Sequence, residues 1–349
     1  MRWKVRGSLV VVFTLLLGAA AADDTAGGAG SLAEAAKGFL LALRPEVRQQ
    51  ATFAFEHAER KDWSNVPHFA HPRVGARWGD LTDAERIAAH RLLQAGLSSQ
   101  GYLKASSIMR LDDLLAETSE RKDRFGSGMY FLDVFGKPGE DARWGVQVDG
   151  HHLAVHWTVV NGAMAATPAF LGTEPSEAPA GKYAGWRILG AETDKGLALV
   201  RSLSESQRKE AILAAKLPPD IFTGPGRDDA LKAPAGLAAA KMNAEQTALL
   251  ESLMEEYLGN HTPAVAQAYW RRIRADGWGK AHFAWMGPVE KGQPIYYRVH
   301  GPSILIEYDN SVRPGTDRND LNHIHSVLRV PGNDFGEDLL KKHYQKTAH

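Results

Sequence analysis

From Asp23 to Gly30 the chain is rich in Ala and Gly without any period, which predicts a short linker. Apolar positions then recur with helical spacing. Ala33, Phe39, Leu40 and Leu43 fall on one face of a helix opened by Ser31 and broken at Pro45, and Pro45 can itself open a second helix through Val47 and Phe53. A loop bearing Trp and His follows from Trp63 to Trp78. Thr82 with Glu85 three residues later forms a capping box, and Ile87, Ala88, Leu92, Leu93 and Leu97 give the period of a core-facing helix. A further helix is predicted from about Ser106 to Glu120, apolar through Ile108, Met109, Leu111, Leu114 and Leu115 and charged on its exposed face.

The period then changes. Met129 to Phe135, Trp144 to Val148 and Leu153 to Val160 alternate or run apolar and are separated by turn residues such as Gly136-Lys137-Pro138-Gly139 and Asp149-Gly150, which predicts strands joined as hairpins. A loop with Pro168, Gly172 and Pro175 comes next, then a helix near Glu205 to Leu217 and a Pro/Gly-rich internal linker from Pro218 to Gly236. Helices are predicted near Ala244 to Leu258 and Pro263 to Asp276, and strands near Ala281 to Met286, Ile295 to Val299 and Ile304 to Tyr308, with a last helix from Phe335 to Gln345.

The second set echoes the first. A shift of 151 positions carries Gly136 to Gly287, Val148 to Val299 and Gly150 to Gly301, and sets Leu153, Val155 and Trp157 against Ile304, Ile306 and Tyr308. This predicts a degenerate internal duplication with half-repeats at about 82–160 and 243–310. The expected fold is α+β, one domain over residues 31–349, with the two hairpins side by side in an antiparallel sheet flanked by helices.

The N-terminus adds a compartment. Arg2, Lys4 and Arg6, the apolar run Leu9 to Leu17 and the small residues Gly18 to Ala22 have the layout of a secretory signal peptide over residues 1–22. The run is shorter than the roughly 20 residues a membrane span needs, so no stable span is expected after cleavage. The 41 basic and 41 acidic residues balance over the whole sequence, but losing three cations with the leader leaves 38 against 41. A mildly acidic, periplasmic or secreted protein with no basic stripe is not expected to bind nucleic acid. With no cysteine, any site built on thiolates, and any lipoprotein anchor, is excluded.

Candidate chemistry therefore rests on imidazole and carboxylate. Gly150-His151-His152-Leu153-Ala154-Val155-His156 reads as a strand with His152 and His156 on one face, about 13 Å apart. His323 and His325 in Asn322-His323-Ile324-His325 point to one face of an extended segment at about 6–7 Å, a spacing from which two imidazoles can converge on an ion. Glu307, among apolar neighbours on Ile304–Asp309, is a candidate third ligand, or else pairs with Arg298 or Arg329. His282 and His300 lie close to strand ends, where turn residues are common, and His57, His68, His71, His90, His261, His343 and His349 read as surface residues. No nucleotide-binding loop, nucleophile elbow or H-E-x-x-H motif is present.

Several segments taken together resemble a family of mostly exported proteins catalogued as domain of unknown function number thirty-five hundred. The similarity lies in Gly150-His151-His152-Leu153, in Ala166-Thr167-Pro168-Ala169-Phe170-Leu171-Gly172-Thr173-Glu174-Pro175, in Tyr296–His300 and Ile306–Asp309, and in Asn322–His325 through Asn333–Leu340. It covers nearly the whole mature chain and implies no reaction. His151, His152, His300, Glu307, Asp309, His323 and His325 fall inside the matching motifs, whereas Gly301 and Asn310 depart from the family pattern.

The expected function is thus an exported metal-dependent enzyme with a mononuclear site. His323, His325 and Glu307 are the ligands, completed by His152 or His300, with Asp309 and His151 as acid/base residues or partners that orient an imidazole. Zinc, iron, copper or manganese would suit these donors. Oxidoreductase chemistry is slightly preferred over hydrolysis because Trp157, Trp285, Tyr296, Tyr297 and Tyr308 lie close in sequence to the motifs. The alternatives are a non-catalytic ligand-binding module, for a small molecule, peptide or glycan, and a metal carrier.

Overall fold

A computed structural model describes residues 25–118, 122–178, 181–310 and 323–346. The signal peptide lies outside the described residues. The elements of the first half are α1 (Ala26–Ala42), α2 (Pro45–Ala51), β1 (Thr52–Phe53), β2 (Ala76–Arg77), α3 (Asp83–Gly96), α4 (Ser99–Thr118), β3 (Phe131–Phe135), β4 (Arg143–Gly150), β5 (Leu153–Val160), β6 (Ala163–Ala165) and β7 (Ala169–Thr173). The second half continues with α5 (Gly190–Ser202), α6 (Glu205–Ala211), β8 (Ile212–Ala214), β9 (Leu237–Ala238), α7 (Ala244–Leu258), α8 (Pro263–Gly277), β10 (His282–Met286), β11 (Tyr296–Gly301), β12 (Ile304–Asp309) and β13 (Ile324–Arg329), and α9 (Glu337–Lys346) closes the chain. The fold is α+β.

The strands form one mixed sheet in the order β1-β3-β4-β5-β7-β13-β12-β11-β10-β8, with β2, β6 and β9 paired to β3, β5 and β10. Read from either edge, this order presents the same succession of elements up to the central β7–β13 pair. Adding 151 to Phe131–Phe135 gives His282–Met286, so the register of the sequence echo is that of the strands themselves. The repetition of order reaches upstream of the expected half-repeats, to the helix pairs α1/α2 and α5/α6. Two expectations are corrected. The hairpins are not adjacent, because β7 and β13 pair with each other between them. Nor is the sheet wholly antiparallel, since β1 and β8 join its edges in parallel.

Local chemistry explains the elements. Thr82 and Glu85 make the predicted capping box of α3, and Asn243 with Gln246 makes the corresponding one on α7. The helix expected to begin at Ser31 begins at Ala26 instead, so most of the predicted linker is its first turn; Ser31 sits inside the helix and donates to the Gly27 carbonyl. Helix α5, unpredicted, buries Leu197, Leu199 and Val200.

The sheet is buried on both faces. Along β5, Leu153, Val155, Trp157 and Val159 pack under the helices in the main core, while Ala154 joins Trp63, Phe170, Ile221, Val327 and Phe335 on the other face. That second face is covered by two long straps, residues 54–75 between β1 and β2 and residues 215–236 between β8 and β9. The second strap is the stretch the sequence predicts as a linker. No helix of the described residues is long and apolar enough to cross a membrane.

Burial also fixes protonation. His156, whose Nδ1 lies 2.8 Å from the Pro168 carbonyl, is pushed by desolvation from 6.5 down to about 3, and His261 falls to about 4 for the same reason. His261 and His343 are thus not surface residues; both are buried. An imidazole whose folded pKa is depressed binds its proton in the unfolded chain first, so stability is full above pH 6.5 and is lost as pH falls toward the folded values. Each such group contributes a slope of about 1.4 kcal/mol per pH unit in that window. Urea midpoints are therefore expected to fall steadily from pH 7 to pH 5, and a flat profile would contradict neutral burial.

Candidate metal centre

The candidate site lies at the end of the central strands, on the strap-covered face. His151 and His152 form the two-residue turn between β4 and β5, since Gly150 pairs with Leu153. They are not strand residues as the sequence suggests. His152 adopts φ +65°, a left-handed conformation unusual for a side chain of this kind, and is held there by its N–H donating to the Asn65 carbonyl and its own carbonyl accepting from Gly172 N–H. Residues in such conformations concentrate at functional sites.

Across β7, His323 and His325 project from the start of β13. The sequence expects this pair to share a face, and their rings stand 4.5 Å apart and perpendicular. His152 reaches them from its turn, with Nε2 2.6 Å from His323 Nε2 and its ring 5.3 Å from that of His325. One donor atom from each of His152, His323 and His325 lies within 4.8 Å of the others, a group that could hold a metal ion. Two imidazole nitrogens on a tetrahedral ion stand about 3.3 Å apart, so the two facing nitrogens need to separate by less than about 1 Å.

Carboxylates surround the imidazoles. Asp220, on the second strap, lies 2.7 Å from His325 Nδ1, and Asp112, on α4, lies 2.6 Å from His151 Nδ1. Such pairs fix the tautomer and turn the far nitrogen outward as a ligand, the arrangement found behind metal-bound histidines. Burial pushes the Asp220 carboxyl up, but His325, the Ile221 N–H and Arg227 outweigh it and hold Asp220 below the usual carboxylate range. Glu174, at the end of β7, lies 3.9 Å from His323 Nδ1 and completes a second group of possible ligands with His151 and His152. Asn65 Nδ2 lies 3.4 Å from the ring nitrogens of His325.

The structure does not bring every expected residue to this place. Glu307 is fully buried, and its two oxygens accept from Phe222 N–H, Thr223 N–H, the Thr223 hydroxyl and the Tyr296 hydroxyl. With four donors already on it, Glu307 anchors the second strap and has no capacity left for a cation. Neither Arg298 nor Arg329 forms an ion pair with it; Arg329 binds Asp228 and Asp334. His300 lies opposite Leu305, four residues along β12 from the position facing His325 and two strands across from it, and is therefore about 16 Å away. Desolvation first, then Arg298 and His282, lower its pKa to about 4. Asp309 stands directly opposite His325 in the β12–β13 register, on the same face, but the carboxylate in contact with the imidazole is Asp220.

Sequence reasoning misses Glu174, Asp220, Asp112 and Asn65. Glu174 stood inside a recognised motif, but nothing in its neighbourhood singles it out. Asp220 falls in the stretch read as a linker, and Asp112 in a helix face read as exposed, where it is 4% accessible. The expected aromatics also lie elsewhere: Trp157, Trp285, Tyr297 and Tyr308 belong to the core beneath the helices, on the opposite face from His325.

No curated protein and no solved structure matches the chain. The family described as protein of unknown function (DUF3500) matches residues 25–337, which takes in every element from the start of α1 to the start of α9 and all the residues of the candidate centre. The chain belongs to the DUF3500 family.

Proposed function

We propose that the protein is an exported metal-dependent enzyme whose ion is held by His152, His323 and His325. The observation that carries this reading is the convergence of three imidazoles from two separate elements, a turn and a strand, with a buried or half-buried carboxylate behind His325 and another beside His323. A single N–H···N hydrogen bond accounts for the His152–His323 contact but not for the third imidazole and the carboxylates gathered round it, whereas a three-imidazole set is a donor pattern of catalytic sites. Zinc, iron, copper and manganese all suit it. When bound, such an ion supplies Lewis acidity and lowers the pKa of a water in its open position.

The protein's own groups have distinct tasks. Asp220 and Asn65 orient His325, Asp112 orients His151, and His151 stacks on His152 at 3.8 Å between ring centroids and keeps it in place. Glu174 stands beside His323, 3.9 Å from its Nδ1, as a further carboxylate at the centre. We favour hydrolysis over oxidation, because four of the five aromatic residues that suggest a redox role pack in the helical core, Tyr296 is hydrogen-bonded to Glu307 and Phe222 of the strap packs on it, and a carboxylate stands beside the imidazoles instead.

The test is direct. The full chain, exported, purified without an affinity tag and dialysed against chelator, is expected to take up zinc or manganese stoichiometrically with sub-micromolar affinity. Failure to bind any of the four metals would overturn the reading in favour of a non-catalytic binding module.

A further inference from the structure

We propose that the centre holds two cations, the second between His151 and Glu174. The inference rests on the metal reading above and extends it. Ions with bonds of about 2.0–2.4 Å draw their ligands from within about 4.8 Å of one another. Two triads meet that span, His152 with His323 and His325, and His151 with His152 and Glu174, and they share His152. No larger group of described residues meets it. The five side chains therefore divide between two adjacent positions instead of crowding round one.

Each position has its own support. At one end Asp220 backs His325 at 2.7 Å, and at the other Asp112 backs His151 at 2.6 Å. Asp112 is itself fixed, because its second oxygen accepts from Gly126 N–H at 2.8 Å. His151 and Asp112 are both 4% accessible, and the carbonyl of His151 accepts from the Tyr130 hydroxyl. A histidine needed only to pack against His152 would not require a buried carboxylate on its Nδ1; one presenting Nε2 to a cation would. His151 and His152 stack with their planes 29° apart, and a ligand atom of each lies within 4.8 Å of the other.

Glu174 belongs to the second triad. It also lies 3.9 Å from His323 Nδ1, the nitrogen turned away from His152, so toward the first ion it orients His323 and is not a shared ligand. Two metals about 3.5–4 Å apart form the clamp used in many hydrolytic sites. Four carboxylates, Glu174, Asp112, Asp220 and Asp309, border the imidazoles, and Arg227 reaches Asp220 at 3.6 Å. The mixed nitrogen and oxygen donors of the second position suit zinc or manganese.

The experiment is a titration of the metal-free full chain with Zn²⁺ and, separately, Mn²⁺, read by native mass spectrometry and calorimetry. Two ions per chain are expected, the second binding more weakly. His151→Gln and Glu174→Gln, each checked for an unchanged circular dichroism spectrum, are expected to reduce the count to one and to leave the tighter event intact. Asp112→Asn should weaken the second event alone by roughly 10- to 100-fold. Saturation of the unaltered chain at one ion, or two ions retained in both His151→Gln and Glu174→Gln, would overturn the second site while leaving the three-histidine reading standing. No binding at all would instead remove that first reading.

Discussion

Replacing His323 and His325 together by alanine is expected to weaken metal binding by about 1,000-fold or more. A structural zinc site with four ligands binds with roughly 10–16 kcal/mol, so each imidazole removed costs on the order of 2–4 kcal/mol. Both side chains are removed from the end of a central strand, not from the core: their side-chain exposures are 15% and 12%, and Ile324 and Val327 keep the packing of β13. The metal-free double variant should therefore unfold at nearly the temperature of the metal-free parent. The two proteins should separate only when metal is added, because an ion that binds the folded chain alone raises its stability by mass action. His152→Ala, which removes a ligand from a different element, is expected to act in the same direction. Full metal uptake at unaltered affinity by the double variant would sink the assignment. Asp220→Asn offers a graded control, with a loss of about 10- to 100-fold, since it frees the far nitrogen of His325 without deleting it.

How much of this was legible beforehand depends on the range of the interaction. The β3–β5 and β10–β12 strands, the α3 capping box and helix α7 follow from neighbours in sequence, and the predicted and observed boundaries agree to within a few residues. Strand β7 does not, because Pro168, Gly172 and Pro175 mark a loop locally while pairing to both β5 and β13 makes the segment a central strand. The same distinction separates the site residues. His323 and His325 are two apart on one strand, so their convergence is a local fact. His152, 171 positions from His323, was within the candidate set, but its place in a left-handed turn was not predicted. Asp220 and Asn65 arrive on straps whose apolar residues are scattered without helical or strand period, and their positions are set by what those straps bury, Ile221 and Trp63, on the second face of the sheet. Glu307 misleads for a related reason: a lone carboxylate on an apolar strand does need partners, but they turn out to be backbone N–H groups 84 and 85 residues away.

That substitution of partners makes Glu307 the most informative single position for stability. Glu307→Ala is expected to cost about 3–5 kcal/mol, because it leaves the Phe222 and Thr223 N–H groups and the Tyr296 hydroxyl without their acceptor in a buried place. The consequence should propagate along the strap. Asp220 lies two residues before Phe222, and Arg329 grips the Thr223 carbonyl through Nε and Nη2, so release of the Glu307 anchor loosens the carboxylate that orients His325. Glu307→Gln keeps the shape and one acceptor oxygen but turns an amide N–H₂ toward a donor, so it should cost less than the alanine while still destabilising measurably. Metal affinity separates the anchor from a ligand. An anchor predicts that Glu307→Gln unfolds at lower urea yet binds zinc within about 10-fold of the parent, through the orientation of His325 alone. A ligand predicts the reverse, a stability change under about 1 kcal/mol together with loss of binding as deep as that of the histidine variants. Urea denaturation and zinc titration of this one variant therefore decide whether the strap or the metal is what the buried carboxylate serves.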